Sequence, residues 1–205
     1  MDIRRYDTGL LSSNMYLIVD GAHAVAIDPC GNTSVAQGLE VDLLVVTHEH
    51  YDHISGVNAW KERYGAPLFC SEACAQNLPS ARKNMARYFE AFCELQTWVP
   101  LERIPKADLN YTCEADRTFT DVAQWRWQGH VFDFMEIPGH SQGSIGILLD
   151  GVHFFSGDSL MQGRPIELHF PGGSEELWER MGKPRVERLP AGTRVWPGHF
   201  EGYML

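Results

Sequence analysis

No run of eighteen apolar residues occurs in the sequence, so no segment reads as a membrane span. The first residues, Met1-Asp2-Ile3-Arg4-Arg5-Tyr6-Asp7, lack the apolar core of a signal peptide. No block of Lys or Arg offsets a formal net charge of −10. That balance argues against a nucleic-acid partner, whose affinity comes mostly from cationic contacts with phosphate. Cysteine is sparse and odd in number: Cys30, Cys70, Cys74, Cys93 and Cys113. An odd set without a leader fits a reducing compartment, so the expected location is the cytoplasm. Cys70-x-x-x-Cys74 is not a structural-zinc spacing and reads as two ordinary thiols. No linker and no short-period repeat is present. What is present is 205 residues, 44% hydrophobic and 21% charged, enough for one domain spanning 1–205 with a real core.

Short strands are expected at Ile3 to Tyr6, Met15 to Val19 and Ala24 to Ile27, with Asp20-Gly21 as a hairpin turn. A short helix is expected around Thr33 to Leu39. Leu43-Leu44-Val45-Val46 is an apolar run of the buried-strand kind. After it, Ile54, Val57, Trp60 and Tyr64 recur at helical spacing, and Gly65 and Pro67 close a helix over 53–64. Pro67 to Cys70 reads as a further strand. Strands are expected again at Val131 to Ile137, Ser144 to Leu149 and Val152 to Ser156, with Asp150-Gly151 turning between the last two. A helix from Ser174 to Leu189, kinked or split at Pro184, precedes a last strand at Arg194 to Trp196. Residues 71–116 differ. Met85, Tyr88, Phe89, Phe92 and Leu95 keep helical spacing, and strand signal is weak. This stretch reads as one or two helices and a loop, placed as a lid over a substrate pocket.

His48, His50, Asp52 and His53 stand within six consecutive residues, on the turn between strand 43–46 and helix 53–64. On a helix His48 and His50 would face nearly opposite ways; on extended chain, residues two apart share a face. An extended His-x-His can hold one metal, and Asp52-His53 can reach a second. Pro138-Gly139-His140 and Pro197-Gly198-His199 each follow an expected strand, and Pro-Gly turns the imidazole away from the sheet edge. Between them, Phe154-Phe155-Ser156-Gly157-Asp158 ends a strand on a carboxylate. Every candidate ligand therefore lies at a strand end, as at a cleft along one rim of a sheet. His23, His130 and His153 read as surface or hydrogen-bonded histidines.

Thr47-His48-x-His50-x-Asp52-His53, followed in order by His140, Asp158 and His199, resembles the metallo-β-lactamase superfamily across most of the chain. The resemblance implies an α/β fold, an αββα sandwich with its site at one edge of the two sheets; here a mostly helical insertion at about 71–116 would lie over that site. It implies that His48, His50 and His140 hold one metal, that Asp52, His53 and His199 hold a second, and that Asp158 bridges them. The expected cofactor is two zinc ions per chain, although iron and manganese also accept N/O ligands. A pair of such ions lowers the pKa of water toward about 7, which makes a nucleophile without Ser or Cys. Asp52 is the expected catalytic residue, orienting that nucleophile and shuttling its proton.

The substrate is a small molecule. Class B1 β-lactamases carry a Cys where Asp158 stands, so the resemblance is to hydrolases of thioesters and related carbonyl esters. Gly157-Asp158-Ser159-Leu160, Gly163-Arg164 and Pro197-Gly198-His199 are similar to short glyoxalase II-like proteins. Six residues follow His199, which leaves no room for the glutathione-binding C-terminal domain of full-length glyoxalase II. Acyl-homoserine lactonases carry Tyr where this chain has Met161, which disfavours a lactonase. A mono-iron persulfide dioxygenase, bound through His48, His140 and Asp158, is the alternative enzyme, and a metal-binding regulatory scaffold the non-enzyme one. Arg164, His169 and Trp98 are the candidate substrate-binding residues, with Trp125, Trp127, Phe89, Phe92 and Phe170 as further aromatics for a pocket.

Overall fold

A computed structural model of the protein describes residues 1–95 and 106–205. The first sheet takes β1 (Asp2–Asp7), β2 (Asn14–Asp20), β3 (His23–Ile27), β4 (Glu40–Val45), β5 (Leu68–Ser71) and β6 (Arg117–Phe119), in spatial order β1-β2-β3-β4-β5-β6. Its first three strands are antiparallel and its last three run parallel to β3. Parallel strands need covering crossovers. A single turn of 3₁₀ helix at Thr33–Ala36 leads from β3 to β4, and α1 (Tyr51–Ile54) and α2 (Val57–Tyr64) lead from β4 to β5. After β5 come α3 (Glu72–Ala75) and α4 (Phe89–Leu95).

The second sheet takes β7 (Val122–Trp127), β8 (His130–Glu136), β9 (Ile145–Leu149), β10 (His153–Gly157), β11 (Arg194–Pro197) and β12 (Tyr203–Met204), with α5 (Glu175–Leu177) and α6 (Lys183–Val186) between β10 and β11. Side chains alternate across each strand. Tyr16, Ile18, Val25, Ile27 and Val45 of the first sheet therefore meet Phe132, Phe134, Ile147, Leu149 and Phe155 of the second. The opposite face of the first sheet, with Met15, Leu17, Ala26 and Leu44, packs on Ile54, Val57 and Trp60. Burial on both faces explains why strands such as Leu43-Leu44-Val45 read as unbroken apolar runs. This is the expected αββα sandwich. At one rim the sheets are stitched together, Ile145 donating its N–H to Thr47 O (2.8 Å) and Asn14 to Gly198 O (2.6 Å).

Several elements differ from the sequence reading. The helix expected over 53–64 is two, broken at Gly56, where a Cβ would lie 2.5 Å from Pro29 O and 2.7 Å from Cys30 Cα. The helix expected at 174–189 is interrupted by a π-type turn at Trp178–Gly182, Lys183 N–H bonding to Trp178 O. The interruption lies just ahead of Pro184, which sits in the first turn of α6. The first hairpin turns on Gly21 and Ala22 rather than Asp20-Gly21, because Asp20 still pairs with His23. Strands β6 and β12 were not visible in the sequence. All five cysteines are free and buried. Among the described residues no helix is long and apolar enough to cross a membrane.

Candidate metal centre

Four loops converge at the stitched rim. The first follows β4, carries His48 and His50, and runs into α1, which holds Asp52 and His53; the others follow β8 (His140), β10 (Asp158) and β11 (His199). All seven side chains come together. His48, His50 and His140 form one group whose candidate ligand atoms lie within 4.8 Å of one another, and Asp52, His53 and His199 form another. His50 Nδ1 and His140 Nε2 are 3.1 Å apart. In the second group Asp52 Oδ2 lies 3.5 Å from His53 Nε2 and 3.3 Å from His199 Nε2. Asp158 joins the two: Oδ2 is 3.5 Å from His140 Nε2 and 3.3 Å from His199 Nε2, while Oδ1 is 3.4 Å from His53 Nε2.

These residues fit a metal. Ligands at roughly 2.0–2.2 Å in tetrahedral array stand about 3.3–3.6 Å apart, which matches the separations here. His48 Nε2, His53 Nε2 and Asp158 Oδ1 are buried without a hydrogen-bond partner, a costly state that a metal relieves. His50 Nε2 is also buried without a partner; in the other four rings the second nitrogen is occupied. His48 Nδ1 meets Thr47 Oγ1 at 3.0 Å, His53 Nδ1 meets Asp28 Oδ2 at 2.9 Å, His140 Nδ1 meets Glu167 O at 2.9 Å, and His199 Nδ1 meets Leu11 O at 3.1 Å. Partners of this kind fix the tautomer and aim the free nitrogen inward.

Burial pushes the imidazoles of His48 and His140 below their ordinary pKa and that of His50 down to about 3, so all three are neutral with lone pairs available. His53 and His199 go the other way. Burial opposes their protonation, but Asp52 and Asp158 outweigh it, and His199 is raised to about 10. Burial likewise works against ionising Asp52 and Asp158, and the imidazoles beside them still hold both below the usual carboxylate range.

Two supports were missed in the sequence. Asp28, at the end of β3, accepts from Thr47 N (2.6 Å), Thr47 Oγ1 (2.8 Å) and the His53 ring. Glu49, inside the motif, is buried and accepts from Asn77 Nδ2 (2.8 Å) and Ser141 Oγ (2.9 Å), tying the His48 loop to the His140 loop. The available signal for Asp28 was a carboxylate at a strand end, the same signal that found Asp158.

A cavity of about 370 Å³ opens over the cluster, which forms its floor. Met85, Phe89 and Phe92 of the 71–116 insertion form part of its wall, as a lid would. Arg164 and Phe170 also line it. His169 does not: its side chain is 88% exposed and turned to Glu167, 3.1 Å away. Trp98 lies outside the described residues. Trp125 and Trp127 share a face of β7, as their alternation requires, but pack on Phe132 in the intersheet core. His23, His130 and His153 are paired away from the site with Asp42, Asp150 and Trp196.

Residues 8–199 match the metallo-β-lactamase superfamily. The chain is similar to a hydroxyacylglutathione hydrolase of Alkalilimnicola ehrlichii, at 26% identity over 80% of this chain and 49% of that protein. It thus spans about half the length of that relative. It is also similar to the "Probable metallo-hydrolase YqgX" of Bacillus subtilis, at 26% identity over 97% of this chain and 90% of that one. The crystal structure of the BLEG-1 B3 metallo-β-lactamase superposes with a TM-score of 0.81 at 22% identity, covering 99% and 94% of the two chains. The chain belongs to the metallo-β-lactamase superfamily.

Proposed function

We propose that the chain is a binuclear metallohydrolase that cleaves a thioester or related carbonyl ester of a small molecule. One observation carries the two-metal reading. The Asp158 carboxylate faces both triads, with Oδ2 within 3.5 Å of a histidine from each. A mono-iron site through His48, His140 and Asp158 would leave Asp52, His53 and His199 converged and unused. His48, His50 and His140 are the proposed ligands of one ion, Asp52, His53 and His199 of the other, and Asp158 is the bridge. Zinc suits this N/O set, as do iron and manganese.

Ions held there supply Lewis acidity, lowering the pKa of water and offsetting charge on the carbonyl oxygen. The remaining work falls to the chain. Asp52 lines the cavity while Oδ2 faces His53 and His199, so its carboxylate is placed to take a proton from the attacking water. That proton passes to the departing thiolate as the C–S bond breaks and the new C–O bond forms; the products are an acid and a thiol. Phe170, edge-on to His50 and His140 at 6.0 and 5.5 Å, sets an apolar ring beside the reacting carbonyl.

The test is Asp52→Asn, assayed for metal content and thioester hydrolysis together. The proposal predicts at least a hundredfold loss of kcat in protein that retains its metal, at the low end expected for a lost general base. Full turnover in a fully loaded variant would remove Asp52 from the mechanism.

A further inference from the structure

The two ends of the cavity differ in chemistry. At one end Phe92 stands edge-on to Phe170 with centroids 5.2 Å apart, and Phe170 in turn meets the His50 and His140 rings. Met85 and Phe89 also line the cavity. At the other end, beside His199, the Arg164 guanidinium lies 4.2 Å over the Phe200 ring. Arg164 is exposed, and among the described residues it is the one Lys or Arg lining the cavity. No carboxylate among the described residues pairs with it. Glu167, also in the lining, is engaged by the backbone and ring of His169 at 2.8 and 3.1 Å.

Building on the hydrolase reading above, we infer that the substrate is amphiphilic. A hydrocarbon group on one side of the scissile carbonyl lies along Met85, Phe89, Phe92 and Phe170. A single carboxylate on the other side meets Arg164. An apolar wall rewards each buried methylene, and a guanidinium resting on an aromatic face can bind a carboxylate in a planar fork. A polyanionic, peptide-like thiol such as glutathione finds one cation here, on a chain of net charge −10. The reaction is the hydrolysis already described, with water as the sole co-reactant.

The experiment uses metal-loaded protein and two isomeric series of thioesters, C2 to C8 in the variable chain. Alkanoyl esters of 3-mercaptopropionate put the hydrocarbon on the acyl side; S-alkyl monothiosuccinates put it on the leaving group. In one series kcat/KM should rise about fourfold per methylene, or about 0.8 kcal/mol, until the cavity is full. The matching neutral amides should be about tenfold slower or worse, as for a lost charge-assisted hydrogen bond, and Arg164→Met should erase that difference while keeping the chain-length slope. Phe92→Ala should flatten the slope; should it fail to fold, Met85→Ala, at a partly exposed position of the same wall, should flatten it instead. Non-hydrolysable S-alkyl-3-mercaptopropionate thioethers, titrated by calorimetry, report the same slope without turnover. A binding slope with no hydrolysis keeps the inference and removes the hydrolase reading. Hydrolysis with no dependence on chain length or charge in either series, or a preference for S-lactoylglutathione, overturns the inference alone.

Discussion

Asp28 spends both carboxylate oxygens on the ligand loop, Oδ1 on the backbone of Thr47 and Oδ2 on the Thr47 hydroxyl and the His53 ring. It orients a ligand without being one. Asp28→Asn should weaken metal binding by about 10–100-fold, as loss of such an orienting partner does, measured by competition with a chromogenic chelator; unchanged affinity would show that His53 needs no such support. Gly198 is fixed by crowding. A Cβ there would overlap Asp158 Oδ1 and come within 2.9 Å of His53 Cε1. Gly198→Ala should cost about 1–3 kcal/mol in urea unfolding through overpacking and should loosen the metal held by His53 and Asp158. The ligand candidates were legible because residue type and spacing are local properties, visible in His48-x-His50-x-Asp52-His53. Asp28 and Glu49 were not, because a carboxylate's role depends on what the fold brings to it, and an acid at a strand end also reads as an ordinary turn residue.

The C-terminal strand pair is held to the rim by β2. Asn14 donates through Nδ2 to Pro197 O (2.9 Å) and Phe200 O (2.8 Å), and the Tyr16 hydroxyl donates to Pro197 O (2.6 Å). These bonds bracket His199. Pro197 O keeps the Tyr16 hydroxyl and Phe200 O keeps Arg5 Nη1 (3.0 Å), so Asn14→Ala should cost only the two lost hydrogen bonds, about 1–3 kcal/mol together, and should lower affinity at the site containing His199 more than at the site containing His48. Equal losses at both would mean that Asn14 acts only on overall stability. Strands with strong alternation or apolar runs were readable, as at 15–19 and 131–137. Strand β12, two residues long, and β6, three, carry too few side chains to show a period. Within the π-type turn at 178–182 the Trp178 side chain lies against Gly139, where a Cβ would come within 2.9 Å of it, a tertiary contact that no local propensity encodes.

At the scale of the whole molecule, two sheets present four loop ends at one rim, and five histidines and two aspartates meet there. Without metal this rim holds buried, unpartnered polar atoms, so metal should stabilise the fold. Chelation should lower Tm, and restoring metal at about a hundred times its Kd should return about 2.7 kcal/mol; a Tm indifferent to chelator would mean that the cluster is satisfied without an ion. The resemblance carried over the motif conveyed the αββα layering and the seven converging side chains. Of the cavity wall, Phe89, Phe92 and Phe170 were expected from the sequence as pocket aromatics and do line it, whereas Met85 read only as a helix-face residue until the insertion is folded against the rim.

The most direct measurement of the central claim is the metal content of protein purified without added metal, by mass spectrometry, with thioesterase activity titrated against it. The account predicts two ions per chain, zinc or a zinc, iron and manganese mixture, and activity that reaches its maximum only when both sites fill. One iron per chain with oxygen uptake on a persulfide, or no stoichiometric metal after reconstitution, would contradict it.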